Sequence, residues 1–219
     1  MRRTLVAVLL VFVGCSNTLD RDRAAEKITS SPQFQEAPEL WVDVGRIGPT
    51  CEPSLPSDNA ELIVAKMAGY VTVTQHGRNF WQISLTDKGR ALPEAKKMEA
   101  DPPETKDGCS FQLLALPLAT REFGEVTGVT GSDREVQVEF RYKWKPTELG
   151  SALTDNGSIY TKLSGDQQDS LNRIIQKRSV LFWQGAPLEL PITDVAVTVG
   201  VNGSARFQKY DDGWRLMAP

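Results

Sequence analysis

The stretch REVQVEFRYKWK, residues 134–145, alternates without a break. Val136, Val138, Phe140, Tyr142 and Trp144 take one side, and Glu135, Gln137, Glu139, Arg141, Lys143 and Lys145 take the other. A strand sends successive side chains to opposite faces, so this period of two places one face on a core and the other in water. An antiparallel sheet with one covered face accommodates such a strand. Pro146-Thr147 ends the run and can start a short helix.

The C-terminal segment repeats the pattern. Val195, Val197, Val199 and Val201 alternate, Asn202-Gly203 reads as a type I′ hairpin turn, and Asp212-Gly213 marks a second reversal. The expectation is an antiparallel meander, with GDQQDSLNRIIQKR as a covering helix that turns Leu171, Ile174 and Ile175 inward. Upstream, TLDRDRAAEKI predicts a helix capped by Thr18 or Asp20, carrying Ala24, Ala25 and Ile28 and stopped by Pro32. ELWVDVGRI reads as a strand with Leu40, Val42 and Val44 on one face. SDNAELIVAKMAG reads as a helix capped by Ser57 or Asp58 and closed by Gly69. A hairpin then turns near His76-Gly77, and Thr86 can cap a helix running to Lys97. The polar, proline-rich stretch EADPPETKDG is the best internal boundary. The fold class is therefore α+β. Residues 15–100 form an N-terminal helix-and-hairpin part and 101–106 a linker. Residues 107–219 form an antiparallel β-rich part with one or two covering helices.

The N-terminus reads as a signal. Arg2 and Arg3 precede nine apolar residues, Leu5 to Val13. A helical span of a bilayer needs roughly 20 such residues, so this run fits a secretory signal over residues 1–14. Its last four residues, Phe12-Val13-Gly14-Cys15, resemble the lipobox of bacterial lipoproteins, with Phe12 where the usual residue is Leu. The resemblance implies that the Cys15 sulfur receives a diacylglyceryl group, that cleavage falls before it, and that the new amino terminus is acylated by a chain such as palmitate. One chain anchors marginally; two or three hold essentially permanently, at about 0.8 kcal/mol per buried methylene. The chain then belongs to the cell envelope, and Ser16 in place of the aspartate that marks inner-membrane retention points to the outer membrane. Only residues 16–19 separate Cys15 from the first helix, a reach of about 14 Å, so the body sits close to the bilayer.

Loss of Arg2 and Arg3 leaves 23 basic side chains against 28 acidic ones. That balance gives no general attraction to nucleic acid. With Cys15 acylated, Cys51 and Cys109 remain in an oxidising setting, where a disulfide is their simplest use. It closes a loop worth about 4 kcal/mol in the chain-entropy account. The alternatives are two buried thiols or a catalytic thiol, for which the single histidine, His76, is the sole imidazole base.

Residues 65–92, AKMAGYVTVTQHGRNFWQISLTDKGRAL, resemble the end of a winged helix-turn-helix domain: a helix, a wing tipped by HGRN, and LTDKG as in MarR-like regulators. The helix preceding the wing offers only Lys66 against Asp58 and Glu61, so the likeness concerns shape and implies no nucleic-acid partner. The closing strands, with Trp214, resemble cystatin- or NTF2-like lipoprotein domains.

Few residues suggest chemistry. Trp41, Trp81, Trp144, Trp183 and Trp214 are read as core rather than as a ligand groove. Asp211 and Asp212 adjoin on a turn, where their carboxylates diverge. TDNGSIY lacks the ligand spacing of a calcium loop. One histidine excludes a histidine metal cluster, and there is no glycine-rich phosphate loop, Gly-x-Ser-x-Gly elbow or Ser-x-x-Lys, so no metal and no cofactor is expected. The leading expectation is a non-enzymatic envelope lipoprotein, a binding or scaffolding module with the membrane and an envelope protein as partners. Its alternative is a cell-envelope hydrolase whose catalytic carboxylates the spacing does not reveal.

Overall fold

In the computed structural model, which describes residues 18–48, 59–76, 80–100, 103–106, 109–179 and 188–217, Asp20 starts the first helix. Its carboxylate accepts the Arg23 backbone N–H at 2.9 Å, and α1 (Arg21–Thr29) buries Ala24 and Ile28 one turn apart. Pro32 ends α1 and also opens α2 (Pro32–Gln35), with Ser31 as cap; the fixed φ of proline suits a first helical turn.

After β1 (Glu39–Ile47), α3 (Ala60–Met67) is capped by Asn59, whose side chain accepts the Leu62 N–H. The cap is therefore Asn59 rather than the expected Ser57 or Asp58, which lie outside the described residues, because the helix begins only at Ala60. Gly69, at φ 77°, closes the helix. The hairpin follows as β2 (Val71–His76) and β3 (Phe80–Leu85), with His76 opposite Phe80. Thr86 caps only α4 (Asp87–Arg90), and Pro93 starts a separate α5 (Pro93–Ala100). The single helix expected here is two, because a residue before proline is pushed out of helical backbone.

The first sheet adds β4 (Glu104–Lys106) and β5 (Cys109–Pro117), all antiparallel in the order β2-β3-β1-β5-β4. β1 pairs with β5 from Glu39↔Pro117 to Arg46↔Ser110, so this sheet takes strands from both sides of the expected linker. Gly45 is required there: its φ is 134°, and a Cβ would stand 2.2 Å from the Ser110 carbonyl oxygen. β3 flanks β1 only at Gly45–Ile47. Further upstream, the Glu61 carboxylate of α3 accepts the Trp41 N–H at 3.2 Å, which accounts for a buried glutamate beside a strand.

The second sheet contains β6 (Ala119–Gly131), β7 (Glu135–Pro146), β8 (Val201–Tyr210) and β9 (Gly213–Leu216), antiparallel in chain order. β7 behaves as its alternation predicts, with Val138, Phe140, Tyr142 and Trp144 buried and the charged side chains exposed. α1 and α2 lie against this sheet. Phe34 of α2 sits edge-on to Phe123, Phe140 and Tyr142 at 5.9–6.3 Å between ring centres, a geometry that favours aromatic pairs. Thr147 caps α6 (Glu148–Ala152), a 3-10 turn spans Tyr160–Lys162, and α7 (Gly165–Ser179) buries Leu171 and Ile175, with Ile174 half-buried.

The valine alternation at 195–201 misleads. Residues Asp194–Thr198 form a helix, α8, capped by Thr193 and leaving Val195 and Val199 60% and 59% exposed. Asn202-Gly203 is no turn; it lies inside β8, where Arg141 faces Asn202 and Phe140 faces Gly203. Gly203 serves close packing, since a Cβ there would meet the Phe140 ring at 2.6 Å. The reversal expected at Asp212-Gly213 forms one residue earlier, on Asp211-Asp212, and Gly213 at φ 123° opens β9.

Candidate functional site

Two cavities among the described residues are candidate sites. The first, about 390 Å³, lies where the end of α3, α4 and α6 meet, and Tyr70, Lys88, Glu148, Ser151 and Ile159 line it. The Lys88 ammonium donates to Glu148 Oε1 at 2.8 Å and to the Ala68 carbonyl at 2.9 Å, and stands 4.5 Å from the centre of the Tyr70 ring. The hydrogen bond to Glu148 is the largest influence on Lys88 and raises its pKa. Burial is the largest influence on Tyr70 and raises its pKa as well.

Neither shift favours a lysine base or a tyrosine nucleophile. A lysine base must lose its proton near neutral pH, and a tyrosine nucleophile needs a lowered pKa. The Ser151 hydroxyl donates to the Thr147 carbonyl at 2.8 Å, which ties it to its own helix. The Lys88 cluster joins an element of the first sheet's layer to the helix that follows β7. Lys88→Met is therefore expected to lower stability by no more than about 1 kcal/mol, because both charged partners are well exposed. In a chain of this size that is a fall of about 2–4 °C in melting temperature. Because the folded pKa is raised, the ion-pair contribution is present at neutral pH and is lost as pH climbs through the alkaline range.

The second cavity, about 400 Å³, lies between α1 and the β8–β9 turn, lined by Leu19, Arg23, Glu26, Lys27, Asp212 and Trp214 among others. Its charges nearly balance. Arg215 pairs with Asp212, and that hydrogen bond is the chief reason the Asp212 carboxyl is held below its ordinary pKa. Asp211 is exposed beside it. No family model, curated protein or solved structure matches the chain.

The residues singled out from sequence are dispersed. His76 is exposed at the end of β2. Cys109 is fully buried at the start of β5 and is disulfide-bonded. Cys15 and Cys51 lie outside the described residues, as does Trp183. Trp144 and Trp214 are buried as a core reading expects, Trp81 is half-buried, and Trp41, 43% exposed, is not a core residue because it falls on the outer side of β1. No group of three histidine, cysteine or acidic side chains suited to a metal occurs among those residues. In α3, Ala60, Glu61, Leu62, Val64 and Ala65 are all buried, which leaves too little free face to read a DNA groove.

Arg121 escaped the sequence reading. Its guanidinium lies 4.7 Å from the centre of the Trp144 ring and donates to the carbonyls of Gln33, Phe34 and Glu36 at 2.6–3.2 Å. Burial, the largest influence, lowers its pKa, with Tyr142 opposing. It fastens the end of α2 to the aromatic face of the second sheet. A strand arginine on an otherwise mixed stretch carries no local signal of that role.

Proposed function

We propose that this chain is a lipid-anchored envelope lipoprotein, a non-enzymatic binding or scaffolding module held beside the membrane through acylated Cys15 after removal of residues 1–14. The observation that carries the reading is the short apolar run ending in Phe12-Val13-Gly14-Cys15. Leu19 is buried only four residues after Cys15, which supports a body held close to its anchor. The raised pKa values of Lys88 and Tyr70 support a structural rather than a catalytic cluster. No helix among the described residues is long and apolar enough to cross a membrane. Attachment then rests on the lipid. The Cys109 disulfide is assigned to Cys51, the outer membrane is the expected location from Ser16, and the partner is an envelope protein.

Cell fractionation with intact mass tests this. The membrane-extracted protein is expected to begin at Cys15 with two or three acyl chains, and Cys15→Ser is expected to shift the chain out of the acylated membrane pool. A mass that retains residues 1–14 without lipid overturns the reading. So does a Cys15→Ser variant that stays membrane-bound.

A further inference from the structure

We propose that the end of the β8–β9 hairpin, with Tyr210 and Arg215 at its surface, is the face that rests on the phospholipid headgroup layer. The inference rests on the acylation of Cys15 and adds the orientation of the body. Leu19 is buried at the start of the α1 face, continued by Arg23, Lys27 and Ser30, that walls one cavity with Asp212, Gly213 and Trp214. Counting back from Leu19 to Cys15 gives four residues, which extend about 14 Å at most. An anchor on so short a lead brings the cavity and the adjoining turn to the bilayer, while the opposite end of the second sheet stays away. Register gives the distance: Gln208 pairs with Glu135, and β7 continues ten residues to Lys145, about 33 Å further along the strand.

The chemistry of this end suits headgroups. Tyr210 is 42% exposed and its ring lies 4.9 Å from the Arg215 guanidinium; Lys209 lies 5.8 Å from the Trp214 ring. Tyrosine and cations on long stems place an apolar body and a polar tip together, the combination that settles at a membrane–water interface. The surrounding charges balance in number, Lys209, Arg215 and the neighbouring Arg134 against Asp133, Asp211 and Asp212, with Arg215 paired to Asp212. Orientation therefore depends on the anchor and on interfacial side chains rather than on anionic lipid, and is insensitive to salt.

The test uses the full acylated chain in vesicles of phosphatidylethanolamine and phosphatidylglycerol. An environment-sensitive fluorophore is placed at Tyr210→Cys and, separately, at Lys145→Cys, with near-UV circular dichroism to show that each variant is folded. On vesicles the label at 210 is expected to shift to the blue and lose most of its quenching by aqueous iodide. The label at 145 is expected to stay fully quenchable. Equal quenching at both sites in a protein whose mass shows acyl chains on Cys15 overturns the orientation and leaves the anchor standing. A membrane-extracted chain without acyl groups overturns both.

Discussion

Trp144→Ala is expected to lower the unfolding free energy by about 3–5 kcal/mol, the usual cost of removing a large buried aromatic. Trp144 is 2% exposed, packs edge-on against Tyr142 at 5.4 Å and supports the Arg121 guanidinium on its ring. Truncation opens a cavity and also strips the half-buried Arg121 cation of its aromatic partner, worth about 0.5–2 kcal/mol alone. Domains of this kind have about 5–15 kcal/mol in all, so the variant is brought near the point of unfolding. Urea denaturation reads the loss directly as a lower midpoint. Trp144→Phe keeps most of the packing and is expected to recover more than half of it. A loss below about 1.5 kcal/mol for the alanine variant is smaller than burial of such a ring allows, and shows that this face is not the main core.

Gly203→Ala is expected to cost about 1–3 kcal/mol through overpacking, an unusual penalty for one methyl in the middle of a strand. The added Cβ falls 2.6 Å from the Phe140 ring. That ring has no easy retreat, being stacked on Phe123 at 5.9 Å and flanked by Phe34 and Tyr142. A double-mutant cycle separates this clash from lost strand geometry. In a Phe140→Leu background the penalty is expected to fall by more than half. An unchanged penalty means that backbone conformation, not the ring, excludes alanine.

These two positions show how the readable and the hidden parts of the fold divide. Trp144 belongs to a period-two run whose buried and exposed faces follow from covalent order alone. The caps at Asp20, Thr86 and Thr147 are legible for the same reason, since each acts on a backbone N–H within three residues. Gly203 looked like a turn because Asn-Gly favours one. Its role as a place for the Phe140 ring appears only when β8 is laid against β7. Val195 and Val199 alternate as strand residues do, yet the Thr193 cap at one end and Gly200 at φ 101° at the other enclose a helical turn.

The candidate sites divide in the same way. Phe12-Val13-Gly14-Cys15 is contiguous, so the proposed lipid anchor rests on a pattern within one short window. Lys88 and Glu148 are 60 residues apart, and Arg121 meets carbonyls 85 to 88 residues away, so neither cluster leaves a pattern in a short window. By itself the sequence determined the α+β class, the buried face of β7 and the starts of α1, α4, α6 and α7, all of them effects of neighbours within about four residues. Only tertiary structure decided that β5 pairs with β1 across a polar segment, that Gly203 lies under a ring, and that Lys88 and Arg121 fasten separate elements. Each of those depends on groups that share no turn of helix or step of strand, and they become neighbours only after the chain has folded.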